Sequence, residues 1–265
     1  RAGYDFMIQG MGGIMSVTGQ PDGTPGAEPL KCGVAFADIF TGLYATIAIT
    51  AALAHRERTG EGQFIDMALL DSQVAVLGNQ ALNYLVSGQP PGRLGNAHPN
   101  IVPYQTFATA DGHIIIAVGN DRQFAAFCRL AGLPELAADP RFATNRARVA
   151  NREALVPVIA EAVKTRTKAE WIAALEPGGV PCGPINTIDQ VFSDEQVKSR
   201  GLRVDLARPD GTVVPGVASP IRLSATPIEY TRPPPALGAD TDEVLADLDL
   251  SLDEIRDLRQ AGVVG

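Results

Sequence analysis

Cysteine is scarce in this sequence, and its scarcity argues against two kinds of site. The chain of 265 residues holds three cysteines, Cys32, Cys128 and Cys182, and they stand far apart. That arrangement provides neither a disulfide framework nor a set of ligands with the spacing of a zinc site. We therefore expect reduced thiols in a cytoplasmic protein.

The sequence also lacks an excess of basic residues and a long unbroken apolar run. Its formal net charge is -8 and its basic residues are scattered, so we expect no nucleic-acid partner. The longest apolar run lies between Asp38 and the cluster His55–Arg58, short of the ~20 uninterrupted apolar residues of a membrane span. We expect no membrane partner. With 45% apolar and 20% charged residues, the composition is that of a globular protein.

One carboxylate, Asp38, opens a segment that is otherwise apolar or small. Residues Phe36–Ala54 are apolar on most faces and contain no other charge, which predicts a buried helix. Aspartate is a preferred N-cap residue, so Asp38 could simply cap this helix. Unpaired N–H groups at a helix start also stabilise an ionised carboxylate, and an apolar surround would keep water away from a reactive intermediate.

Patterns along the chain predict a mixture of helices and strands. After the Asp38 helix we expect a short strand at Phe64–Met67 and a helix over Leu69–Leu85 that stops before Gly88. The segment Val102–Asn120 alternates around an Asp-Gly turn, which predicts a β-hairpin. Three helices are predicted to follow it, at Gln123–Leu130, Arg152–Lys164 and Lys168–Leu175, the last with a capping box from Thr167 to Glu170.

The last part of the chain predicts a second hairpin and two short helices. A Pro-Asp-Gly turn lies between the apolar segments that follow Leu202, and a stiff proline connector occupies Pro233–Pro235. The helices are predicted at Thr241–Leu248 and Ser251–Gln260, the second with a capping box from Ser251 to Glu254.

Five segments occur in the order typical of one enzyme family. They are GYDFMIQGMGGIMSVTG, the long segment GVAFADIF to LLDS, PYQTFATADGHIIIAVGN, GVPCGPINTIDQVFSD and RPPPALGADTDEVL. Together they resemble the class III CoA-transferases, the family of the carnitine and formyl-CoA transferases. The segments NAHPNIVPYQTF and GPINTIDQVF are most similar to the succinyl-CoA-dependent dicarboxylate transferases, of the succinate-hydroxymethylglutarate type.

The resemblance implies an α/β fold, and members of this family are longer than this chain. We expect a class III CoA-transferase fold lacking most of an N-terminal Rossmann-like segment, with an inserted α+β small domain. The expected domains are 1–95, the helical part of the large domain; 96–200, the small α+β domain; and 201–265, the return strands and C-terminal helices of the large domain. The family also implies an interlocked homodimer.

Asp38 matches the catalytic aspartate of the family. The reaction implied by the resemblance moves CoA from an acyl-CoA, here succinyl-CoA, to a carboxylic acid through an aspartyl anhydride and an aspartyl-CoA thioester. Coenzyme A is then a substrate, and no permanently bound cofactor is expected.

Tyr4 distinguishes a CoA-transferase from a related kind of enzyme, a racemase. In the related 2-methylacyl-CoA racemases a histidine at the matching position takes part in proton transfer, and a phenolic hydroxyl is a poor proton acceptor near neutral pH. The transferase is therefore favoured over a racemase or epimerase. A third alternative is a non-catalytic fragment whose helices only associate.

The remaining candidates surround these two residues. Gly12 and Gly13 after Tyr4, and Gly95, could bring backbone N–H groups to the thioester oxygen, although glycine more often marks a turn or close packing. Asn96 and His98 lie in the same loop as Gly95, where His98 could orient the acyl group or a dicarboxylate. His55 and His113 are predicted to be structural, and three separated histidines predict no metal site.

Overall fold

A computed structural model describes residues 3–208 and 210–265 and shows a mixed α/β chain. Internal contacts divide it into two compact units, the first ending at Ile185 and the second running Asn186–Gly265. The expected three-part division of the whole protein stays a prediction.

The first unit begins with five helices that carry the Asp38 segment. They are α1 (Asp5–Met11), α2 (Ile14–Val17), α3 (Phe36–Thr59), α4 (Leu69–Ala75) and α5 (Asn79–Ser87). Helix α3 packs against α1 and α4, so the start of the long helix lies beside the first helix of the chain.

A three-stranded antiparallel sheet with helices around it forms the rest of this unit. Strands β1 (Tyr104–Thr109), β2 (Gly112–Ala117) and β3 (Cys182–Pro184) lie in that order, with Thr109 opposite Gly112 across the hairpin turn. The helices are α6 (Asp121–Leu130), α7 (Pro134–Ala138), α8 (Asn145–Ala150), α9 (Arg152–Val163) and α10 (Lys168–Leu175). The hairpin prediction and the capping box of α10 are confirmed.

The largest apolar core of the described residues lies between this sheet and its helices. Ile114 and Ile116 point inward from β2 and meet Phe127, Leu155 and Trp171, all fully buried. Strand alternation explains the pattern, because every second residue of β2 faces the same side of the sheet.

The second unit contains the predicted second hairpin and short helices. Its elements are α11 (Ile188–Ser193), α12 (Glu195–Ser199), β4 (Arg203–Ala207), β5 (Val213–Val217), α13 (Thr241–Asp247) and α14 (Leu252–Gln260). The two strands pair antiparallel, and the capping box at Ser251 is confirmed.

Two local predictions near α4 were wrong. Residues Phe64–Met67 form no strand, because no neighbouring strand in the described chain pairs with them, and Phe64 is 91% exposed. The helix predicted over Leu69–Leu85 is two helices. The chain turns between them at Gly78, whose φ of 55° lies in a region that a residue with a Cβ rarely adopts.

Helix α3 differs from its prediction in both length and burial. It continues beyond Ala54 to Thr59, and Ala37 is its only buried residue in the described chain, whereas a buried helix was expected. Leu43, Ile47 and Leu53 are exposed, because α1 and α4 cover only part of a helix that is apolar on most of its faces.

The same helix is long and apolar enough to cross a membrane when judged by length and composition alone. We expected no segment of this length and hydropathy, and that expectation is wrong. Asp38 is a single carboxylate at the start of α3, so the turns that follow it keep a high mean hydropathy. Core helices of globular proteins pass the same test, so the observation does not place α3 in a bilayer.

Candidate functional site

Asp38 lies in the first turn of α3, as the third residue of the helix. Its side chain is exposed and forms no hydrogen bond or ion pair within residues 3–208 and 210–265. The enclosing apolar surround expected from the sequence is therefore not formed by the residues that the structure describes. The carboxylate is therefore accessible at the surface of the described residues.

A different carboxylate caps this helix. The N-cap position is Ala35, which has no capping side chain, and the N–H of Ala37 donates to Oδ1 of Asp5 over 2.8 Å. Asp5 thus satisfies one of the unpaired N–H groups that every helix start exposes. The alternative reading of Asp38 as the N-cap residue is wrong, because Asp5 fills that role from α1.

Gln9 extends the contact between α1 and the segment before Asp38. This buried side chain donates from Nε2 to Oδ2 of Asp5 over 2.7 Å and to the carbonyl oxygen of Val34 over 3.3 Å, and its Oε1 accepts from the N–H of Cys32 over 2.8 Å. All of its hydrogen-bonding atoms are used, which fixes residues 32–37 against α1.

The Cys32 thiol in this segment is held in its protonated form. Burial raises its pKa, and the nearby Asp5 carboxylate raises it further. Because the thiolate is the nucleophilic form, this environment disfavours Cys32 as a nucleophile.

Asp5 and Gln9 were not among the residues predicted for the site. Their spacing of four residues on a helix was the available signal, since residues i and i+4 lie on the same face.

Tyr4 and Asp38 each adjoin one end of the hydrogen bond between α1 and α3. Tyr4 is the residue before Asp5 and Asp38 the residue after Ala37, so the Asp5–Ala37 hydrogen bond places the starts of α1 and α3 side by side. Tyr4 is 75% exposed.

Gly12 is the C-cap residue of α1 and Gly13 is the N-cap residue of α2. Close packing explains Gly12. A Cβ at Gly12 would lie 2.3 Å from Cγ of Gln73, and Gly13 has a φ of 86°. Gln73 is fully buried below this turn, and neither polar atom of its amide has a hydrogen-bond partner within the described part of the chain.

Gly95, Asn96 and His98 form a second group, on the loop 95–100. The N–H of Gly95 donates to the carbonyl oxygen of Gly19 over 2.9 Å. The N–H of His98 donates to the carbonyl oxygen of Tyr104, also over 2.9 Å. Nδ2 of Asn96 donates to Oγ1 of Thr106 over 3.0 Å. The loop is therefore bonded to strand β1 at two points.

A polar cleft of about 440 Å³ adjoins this loop, with Gln20, Asn96, Gln105, Thr106 and His113 among the residues that line it. Amide, hydroxyl and imidazole groups predominate, so the cleft offers hydrogen bonds without a fixed charge. His113 was predicted to be structural, and the alternation of β2 directs its side chain away from the core and into this cleft.

Asp38 and the loop 95–100 remain two separate groups. No hydrogen bond joins the α1–α3 corner to the loop in residues 3–208 and 210–265, and no cluster of three histidine, cysteine, aspartate or glutamate residues there could hold a metal ion.

Comparison with known proteins assigns the family. Residues 1–241 match the family model of CoA-transferase family III. The chain belongs to this family. Its α/β fold agrees, since it is similar to a CAIB/BAIF family protein from Brucella suis, with a TM-score of 0.76 and 55% identity over 94% of this chain and 63% of that one.

Curated members of the family are also similar to the chain. The succinate–glutarate CoA-transferase of Agrobacterium fabrum is 55% identical over 94% of this chain and 61% of its own length. The succinyl-CoA:glutarate CoA-transferase of Mus musculus is 43% identical over the whole chain and 60% of its own length. The chain thus spans about 60% of the length of these relatives.

Proposed function

We propose that the protein is a CoA-transferase that moves CoA from succinyl-CoA to a dicarboxylic acid, with glutarate as the first candidate acceptor. The observation that carries this proposal is the 55% identity to a succinate–glutarate CoA-transferase over 94% of the chain. A second relative at 43% identity is named for the same pair of acids.

Asp38 is the proposed acyl acceptor. One of its carboxylate oxygens attacks the thioester carbonyl and expels CoA thiolate, which leaves a mixed anhydride. The thiolate then attacks the aspartyl carbonyl of the anhydride, releasing succinate and leaving an Asp38–CoA thioester.

The second half of the reaction repeats these steps in reverse. The acceptor carboxylate attacks the Asp38 thioester, expels CoA thiolate and forms a new anhydride. Attack of the thiolate on the acceptor's acyl carbon yields the product acyl-CoA and restores the Asp38 carboxylate. Every step exchanges one acyl bond for another, so no external base or redox partner is required.

The geometry around Asp38 supports this role. Asp5 already caps α3, so the Asp38 carboxylate has no structural bond to break before it attacks. Its place in the first turn also puts it beside the N-terminal backbone N–H groups of the helix.

Racemisation is the weaker alternative. The two relatives described above are named as transferases, and Tyr4, the residue that replaces the racemase histidine, is not a proton acceptor suited to an α-carbon. Exchange of the substrate α-proton with deuterated solvent in the absence of an acceptor acid would favour a racemase instead.

Trapping of the covalent intermediate tests the proposal. The complete protein is incubated briefly with succinyl-CoA, treated with hydroxylamine or borohydride, and digested for peptide mapping by mass spectrometry. We expect a modification on Asp38 that is absent from Asp38→Ala. Asp71→Ala serves as the control, since Asp71 is also an exposed first-turn carboxylate.

Either of two results would count against this role of Asp38. One is an unmodified Asp38 peptide under turnover conditions, and the other is normal transfer by Asp38→Ala.

The homodimer is likewise a proposal. The exposed apolar faces of α3 and α5, with Leu43 and Ile47 on one and Leu82 and Leu85 on the other, support a partner surface for these helices in the complete protein. Light scattering with size-exclusion chromatography tests it. A cytoplasmic location stays a prediction.

A further inference from the structure

The loop 95–100 is held by a guanidinium on another helix. Nη2 of Arg152 donates to the carbonyl oxygen of His98 over 2.6 Å and to that of Pro99 over 3.0 Å. Arg152 is the first residue of α9, where the helix dipole disfavours a cation. No carboxylate in residues 3–208 and 210–265 pairs with it, and burial lowers its pKa. Its two contacts with consecutive carbonyls are therefore its main stabilisation.

The same turn determines which nitrogen of His98 carries the proton. The N–H of Asn100 donates to Nδ1 of His98 over 3.1 Å, so Nδ1 needs a lone pair. In a neutral imidazole the proton then lies on Nε2, which becomes a donor. In an imidazolium the N–H at Nδ1 of His98 would face the N–H of Asn100.

One further observation agrees with a neutral ring, and another concerns its position. Burial lowers the pKa of His98, and the positive charge of Arg152 lowers it further. The Tyr104 ring also packs against the imidazole, with ring centroids 5.3 Å apart.

Asn100 is itself fixed by neutral groups. Its side-chain amide exchanges two hydrogen bonds with that of Asn83 on α5, at 3.1 and 3.3 Å. Nδ2 of Asn145 donates to its carbonyl oxygen over 2.8 Å. The residue that sets the His98 tautomer is therefore held from two sides.

We propose that Arg152 and Asn100 are positioning residues that hold His98 as the Nε2–H tautomer, so that the loop presents a neutral hydrogen-bond donor to a carboxylate or thioester oxygen of the substrate. This inference rests on the proposed transferase function. It assigns His98 a donor role, which suits an acid substrate, and removes it as a base for proton abstraction.

The tautomer is measured first, without substrate. Long-range proton–nitrogen NMR of the complete protein labelled with ¹⁵N-histidine distinguishes the two ring nitrogens, and the other two histidines are assigned with His55→Gln and His113→Gln. We expect Nδ1 of His98 to be unprotonated and Nε2 protonated at neutral pH. Arg152→Met should mix the tautomers and raise the pKa of His98. The control Arg146→Met, an exposed residue on the neighbouring helix, should not.

An Nδ1–H tautomer of His98, or a spectrum unchanged in Arg152→Met, would overturn the assignment. This result does not depend on activity, so it can be separated from failure of the transferase proposal, which the Asp38 trapping experiment detects.

The donor role is tested with two amide substitutions. In His98→Gln the amide nitrogen can reach the place of Nε2, whereas in His98→Asn it lies near the place of Nδ1. We expect His98→Gln to keep most of kcat with the acceptor acid and His98→Asn to lose about tenfold or more. Equal losses in both variants would show that His98 acts only in packing.

Discussion

Removal of the Asp5 carboxylate should loosen the helix start that carries Asp38. In Asp5→Ala the N–H of Ala37 loses its hydrogen-bond acceptor, and Nε2 of Gln9 loses one of its two acceptors. Loss of a capping acceptor costs about 0.5–2 kcal/mol, and loss of a negative charge near a helix start adds about 0.3–1 kcal/mol. We expect opening of the first turn of α3 to become easier by about 2 kcal/mol, which corresponds to roughly thirtyfold faster exchange of its amides.

Hydrogen exchange followed by mass spectrometry measures this effect on the peptide that spans residues 34–40. Asp71→Ala is the matched control, because it removes a first-turn carboxylate from α4 that makes no hydrogen bond in the described part of the chain. We expect it to leave the 34–40 peptide unchanged. If Asp5→Ala and Asp71→Ala exchange at the same rate in this peptide, Asp5 does not cap α3.

Three further changes test the packing of the first unit. Arg148 is fully buried and donates to two backbone carbonyls and one carboxylate, so Arg148→Met should lower the free energy of unfolding by about 3 kcal/mol or more in denaturant titrations. Gly12→Ala should cost about 1–3 kcal/mol by the same measurement, since its Cβ would overlap Gln73, whereas Gly92→Ala, with open space around it, should be close to neutral. Burial raises the pKa of the Cys128 thiol from 9.0 to about 11. The folded chain therefore binds more protons than the unfolded one in that range, and stability should fall as the pH rises from 9 to 11. Cys128→Ala should reduce that slope, and an unchanged slope would contradict the assignment.

Features set by neighbouring residues were predictable from the sequence. The hairpin at the Asp-Gly turn and the capping boxes at Thr167 and Ser251 depend on contacts within a few residues, and all three are confirmed. The family and its α/β fold were also predictable, because the motifs run through most of the chain.

Features that depend on distant contacts were not predictable. Asp5 caps a helix 32 residues further along the chain, and Arg152 binds a loop 54 residues before it. Neither contact leaves a periodic signal. The same limit explains the error for α3, since an apolar helix indicates that something covers it without indicating which part of the protein does so.

The attachment of the loop 95–100 has a consequence for the effect of ionic strength. Arg152 binds carbonyl oxygens and Asn83 binds another amide, so within residues 3–208 and 210–265 no hydrogen bond of the loop joins two opposite charges that mobile ions would screen. Raising the salt concentration should therefore leave the loop in place. Any loss of activity in concentrated salt would then originate where charged groups meet the substrate, and not in the support of His98.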